Sequence, residues 1–187
     1  MKQSNKSGAR ILQALSLVFL MIPVFYAAMG TGIISNIGYE DVYWERARFL
    51  LGQGGATLYG GSSLCSLGYS LVLMPICAIL KSPYAAYKAA VLLNGAFLCG
   101  SYVVSVMTAR RLFQKEKETF LSAACFFAAI IPVLSTAKSF TGPKMIVLFL
   151  VWLSFYCFVQ LHEQYCSGRM VLLAVCLILL PFFQIGF

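Results

Sequence analysis

Apolar residues run along this chain in long, nearly unbroken stretches with short polar punctuation between them. A helix needs about 20 mainly apolar residues to cross a bilayer. Four segments approach that, at 11–31, 89–109, 119–137 and 145–161, and a fifth, 170–187, runs to Phe187. Pro132 and Pro181 fall inside two of them, where neighbouring helices can satisfy the carbonyl that each proline frees. The segment 62–80 differs. It opens on Ser and Gly, and only 69–80 is strongly apolar, a length that suits an interfacial or re-entrant helix on the outer side better than a span.

Between the first span and that segment lies "GYEDVYWERARFLL", residues 38–51. Tyr43, Ala47, Leu50 and Leu51 recur at helical spacing, and Asp41, Glu45 and Arg48 share another face at i, i+4 and i+7. The pattern predicts an amphipathic helix at the membrane surface, with Tyr43 and Trp44 suited to the headgroup region. The following "GQGGATLYGG" has five glycines in ten residues, which breaks the helix.

Composition gives these patterns their setting. The chain is 60% hydrophobic and 11% charged, against about 25% charged in a typical soluble domain. Too few polar side chains remain to face water, so the fold class expected is an all-α polytopic membrane protein. The net charge of +8 then reports topology and headgroup contact rather than nucleic-acid binding, and no stretch interleaves basic and aromatic residues as RNA-binding segments do.

Arg110, Arg111, Lys115 and Lys117 form the densest basic cluster, and Lys2, Lys6 and Arg10 precede the first span. Both belong in the cytoplasm by the positive-inside tendency, so an even number of spans must separate them. Segments 11–31 and 89–109 supply two. The resulting topology has five spans, an outer loop over about 32–88, and an uncleaved first helix, its apolar run being too long for a signal peptide. Counting 62–80 as a span gives the six-span alternative. The predicted spans hold almost no ionisable residues, which argues against a transporter. Gly95, Gly100 and Ser101 suit close helix packing. The seven cysteines form no CxxC pair and read as small hydrophobes. His162, the sole histidine, reads as an interfacial residue.

Three of the six acids, Glu40, Asp41 and Glu45, stand in the predicted surface helix. A structural account suffices for them: Glu40 and Asp41 complement the helix dipole, and Glu45 pairs with Arg46 or Arg48. A catalytic account is equally available, because a carboxylate partly desolvated at an interface is a good general base.

The order of features bears on that choice. A basic N-terminus and first span lead to an outer loop opening on an acidic pair. There follow the pattern acid–acid–x–Tyr–x–x–x–Ala–Arg–x–Leu–Leu, a Gly/Tyr stretch, "GYSLVLMP", "AAYKAAVLLNGAFLCGSYVVSVMTARRLF" and "LSAACFFAAIIP". Over about residues 8–187 this order resembles the N-terminal half of GT-C membrane glycosyltransferases. Protein O-mannosyltransferases, lipid A aminoarabinose transferases and oligosaccharyltransferase catalytic subunits belong to that superfamily. The resemblance implies a first outer loop with juxtamembrane helices and a catalytic acid. Asp41 is the expected base and Glu40 the alternative, since the family often reads Asp-Glu and this chain reads Glu-Asp. Arg46, Arg48 and Lys88 become candidates for lipid-phosphate contact.

The implied partners are a polyprenyl-phosphate or -diphosphate sugar donor, an acceptor on the outer face (glycan, lipid or protein) and the bilayer, with no nucleic acid. The implied location is a bacterial inner membrane. Several relatives carry a further acid in the second outer loop. Here 135–144 holds Lys138 and Lys144 and no acid, so no tightly bound metal or other cofactor is expected, and Glu40, Asp41 and Glu45 offer a weak divalent site at most. Family members are longer, which makes the chain an expected N-terminal part of such a module, inactive on its own. The competing readings are a non-catalytic scaffold or accessory subunit and a lipid-linked saccharide flippase component.

Overall fold

The structure, a computed structural model, describes residues 2–29, 40–53, 67–135 and 142–183, with side chains described over 8–29, 42–53, 67–133 and 142–183. These residues form seven α-helices: α1 (Lys2–Met29), α2 (Glu40–Leu50), α3 (Leu67–Ile79), α4 (Pro83–Leu112), α5 (Glu118–Ser135), α6 (Lys144–Glu163) and α7 (Ser167–Phe183). The fold is all-α, as the long apolar runs predict.

α4 is the spine. It packs against α1, α3, α5 and α6, while α6 also carries α7, and α2 rests on α3. Polar pairs fix the helix directions. Gln13 Nε2 in the first half of α1 donates to Ser122 Oγ near the start of α5 at 2.9 Å, and Leu20, Val24 and Ala28 of α1 share a core cluster with Cys125, Ala129 and Val133 of α5, so these two run parallel. The Arg110–Glu118 ion pair closes the α4–α5 turn. Arg111 pairs with Glu163, joining the last turns of α4 and α6. Thus α1, α5 and α7 rise from one basic end of the bundle, and α4 and α6 descend to it. α2 and α3 sit at the opposite end.

Three helical stretches are long and apolar enough to cross a membrane, Gly8–Met29, Pro83–Leu112 and Lys144–Glu163; α5 and α7 are apolar but shorter. The outside of the bundle is correspondingly greasy: Phe19, Phe127 and Ile178 are each more than half exposed, at 58%, 65% and 61%. Water would penalise such a belt, and lipid does not. The protein is a membrane protein.

Lipid is as apolar as leucine, so burial of greasy side chains does not drive these helices together; close packing and hydrogen bonds must. α4 supplies both. A Cβ on Gly95 would lie 2.6 Å from Val24 Cγ1 of α1, and one on Gly100 would lie 2.9 Å from the Phe149 ring of α6. Ser101, Ser105 and Thr108 are buried and return their hydroxyl protons to α4 carbonyls, so they narrow the helix without leaving an unpaired donor.

Two boundaries differ from the sequence expectation. The helix predicted from 89 begins at Pro83, which sits in the first turn, where its missing N–H costs nothing. Lys88 therefore belongs to α4 and does not close the outer loop. The apolar segment 62–80 is helical only from Leu67. Its 13 residues cover roughly 20 Å, well short of a bilayer core of about 30 Å. α3 does not lie flat on a surface. Tyr69 bonds Asn94 of α4, and Cys77 shares a cavity with Ala86, so α3 runs antiparallel along the first third of the spine.

Gly95→Leu should overpack the α1–α4 contact and lower stability by about 1–3 kcal/mol, read as a drop in the melting midpoint in detergent. Cys166 is the exposed member of the described cysteines. The backbone N–H groups of Arg169 and Gly168 hold its thiol below the ordinary cysteine range. A membrane-impermeant maleimide should label Cys166 ahead of the buried cysteines and continue to do so at mildly acidic pH, from the side of the membrane that holds the basic end.

Candidate functional site

α2 is docked by one apolar stripe. Tyr43 and Ala47 are buried, and the Tyr43 ring meets Tyr69 of α3 edge-on, with centroids 5.4 Å apart and planes at 84°, a favourable aromatic geometry. The helix then stops in a left-handed turn. Gly52 has φ of 69°, and the N–H of Gln53 returns to the Arg48 carbonyl at 2.9 Å. That turn brings Gln53 back beside Arg48.

A cavity of about 400 Å³ opens where this turn faces the α3–α4 connection. Its walls include Arg48, Gln53, Cys77, Lys81, Pro83 and Ala86. Two cations and an amide border it, and among the described residues no carboxylate does. An anionic group of phosphate size would find donors on both sides.

The anchor beneath this site is Asn94. Its Nδ2 donates to Tyr69 Oη at 2.9 Å and to the Gly142 carbonyl at 3.2 Å. One buried amide therefore joins α4, α3 and the start of α6.

The sequence-predicted residues separate into groups. Glu40 and Asp41 form the first turn of α2; their side chains lie outside the described residues. Asp41 and Arg48 fall on one helix face two turns apart, about 10 Å along the axis, so the acidic pair and the cavity share a single rigid element. Arg48 reaches the cavity. Arg46 is half-buried and is not part of its wall. Lys88 Nζ sits over the Tyr84 ring at 4.2 Å, also away from the cavity. Glu45 is exposed, and its expected pairing with Arg46 or Arg48 does not form: the ion pairs among the described residues are Arg110–Glu118 and Arg111–Glu163.

Lys81 is the second cation that borders the cavity. A lone lysine in the short polar break "KSP" between two apolar helices was its available signal. Among the described residues no three His, Cys, Asp or Glu side chains gather as a metal site. The loop 136–141, with Lys138, lies outside the described residues.

No family model, no curated protein and no solved structure matches this chain.

Tyr69→Phe would strip the acceptor from one Asn94 N–H in a buried setting. The expected loss is about 1–3 kcal/mol of stability, with faster amide hydrogen exchange in α2 and α3 than at the basic end of the bundle. Unchanged exchange in α3 would show that Asn94 does not anchor it.

Proposed function

We propose that this chain is a membrane glycosyltransferase of the GT-C kind, or its N-terminal half, acting on a sugar carried by a polyprenyl phosphate or diphosphate. One observation carries the reading. A single short helix, pinned to the bundle by Tyr43 and Ala47, has an acidic pair at its start and, at its end, an arginine bordering a cation-lined cavity.

In this mechanism the Asp41 carboxylate, or Glu40, takes the proton from an acceptor hydroxyl or amine as that group attacks the anomeric carbon. The bond from anomeric carbon to phosphate oxygen breaks, and the electron pair leaves with the carrier phosphate. Arg48, with Lys81 across the cavity, stabilises that developing charge. The orientation follows from cation distribution. Lys2, Lys6, Arg10, Arg110, Arg111, Lys115, Lys117 and Arg169 belong to the basic end, against Arg46, Arg48, Lys81, Lys88 and Lys144 among the described residues toward the α2 end. This bias favours the basic end, with the N-terminus, in the cytoplasm and the site on the outer face of a bacterial inner membrane. Five spans with α2 and α3 as an outer layer complete the arrangement.

A scaffold role has one observation in its favour: Cys176 is the one buried residue of α7, so most of that helix's surface is open to lipid or to other helices.

The test is sugar transfer by the full-length protein in membranes supplied with polyprenyl-phosphate sugar. Asp41→Asn should lower kcat by roughly 10²–10⁴-fold, the usual contribution of a general base. Arg48→Gln combined with Lys81→Gln should chiefly raise KM for the donor. Undiminished transfer with both Asp41→Asn and Glu40→Gln would overturn the assignment of the base, and a wild-type protein without transfer that copurifies with a fixed partner would favour the scaffold.

A further inference from the structure

The basic end has a cavity of its own. It measures about 390 Å³ and lies between the last turns of α4 and α6. Leu112, Phe155, Phe158 and Val159 form an apolar wall, and Arg111, His162 and Glu163 stand at its polar edge. Phe155 and Phe158 are 43% and 59% exposed, so the wall is open on the lipid side of the bundle.

The polar edge is built. Arg111 is held by Glu163, and its guanidinium lies 5.6 Å from the centre of the Tyr156 ring. Tyr156 in turn accepts a hydrogen bond from Gln160 Nε2 at 2.6 Å. The cation is thus fixed at the rim of a greasy trough and does not sweep through solvent. Lys115 and Lys117 lie exposed on the adjoining turn, with no ion pair to a described residue. This end of the chain carries eight Lys and Arg against Glu116, Glu118 and Glu163, a net +5.

We infer that the α4–α6 trough binds an anionic phospholipid of the leaflet at the basic end, one acyl chain lying along Phe155 and Phe158 and the headgroup phosphate held by Arg111 with help from His162 and Lys115. A zwitterionic lipid would gain the acyl contact, but its own cation would oppose this charged edge. A free phosphate would gain the charge but leave the apolar wall uncovered. The charge and the wall together select an anionic lipid. Glu163 competes with the headgroup for Arg111, so the site is tuned to hold lipid reversibly. This inference does not rest on the transferase reading and concerns the opposite end of the molecule.

Native mass spectrometry of the purified full chain would test it, with phosphatidylglycerol, phosphatidylcholine and soluble glycerol phosphate titrated separately. Phosphatidylglycerol should be retained in preference to phosphatidylcholine, and glycerol phosphate should not compete. Arg111→Gln should weaken phosphatidylglycerol binding about fivefold, the magnitude of one basic side chain's contact with an anionic lipid surface. Phe158→Ala, at an exposed position outside the protein core, should also weaken it. Glu163→Gln should strengthen it by freeing Arg111. Equal retention of the two phospholipids, or effective competition by glycerol phosphate, would overturn the lipid assignment. Losses of equal size in Arg111→Gln and Glu163→Gln would show that the pair merely braces two helix ends.

Discussion

The amide of Asn94 is buried one-third of the way along α4, and it ties three helices with two hydrogen bonds. In water such a contact would be one small contribution among many. In a bilayer it weighs more, because greasy surfaces gain nothing by leaving lipid for each other, and an unpaired amide in an apolar medium costs several kcal/mol, on the order of 4–8 in the least forgiving solvent. The layer formed by α2 and α3 is held as well by α7, whose Phe182 backbone lies against Gly68, and by Leu73 and Cys77 packing with Ala90 and Cys176. Tyr69, bound to Asn94 through its hydroxyl, meets Tyr43 through its ring, so that amide is linked through one side chain to the placement of α2.

The length of α4 creates the platform on which this happens. Thirty residues make a rod of roughly 45 Å, longer than a hydrocarbon core of about 30 Å. α6, with 20 residues, begins at the level of Asn94. The first turns of α4 therefore extend past the start of α6, and α3 folds back against them through the short Leu80–Ser82 turn. Lys81 is carried by that turn, and Arg48 arrives from the end of α2. Two cations separated by 33 residues of chain thus border one cavity.

Much of this is legible in the sequence. Long apolar runs without charge can only be helices in lipid, since the backbone must satisfy itself, and the i, i+4 spacing of Tyr43 and Ala47 identifies the buried stripe of α2. The close-packing role of Gly95 and Gly100 was also readable from their small size in a span. What escaped the sequence were relations between elements. Lys88 looked like an outer-loop cation, but Pro83 starts the helix early and turns Lys88 onto Tyr84. Arg46 and Arg48 looked equivalent, yet two residues on a helix differ by about 200°, and only the docking of Tyr43 and Ala47 on α3 decides which arginine faces the cavity.

By itself the sequence determined the solvent of this protein, the helical type of its main elements, and the gathering of half its acids in one short helix. Those properties are local: they follow from hydrophobic length, helical period and the scarcity of charge. The tertiary structure alone decided that α3 stands upright along α4, that Lys81 rather than Lys88 joins Arg48, and that Arg111 is locked beside an apolar trough at the far end. Each depends on how one helix is rotated and raised against another. In a bilayer that is settled by a few buried contacts, such as the Asn94 amide and the small face of Gly95, whose partners cannot be read from their own neighbours in the chain.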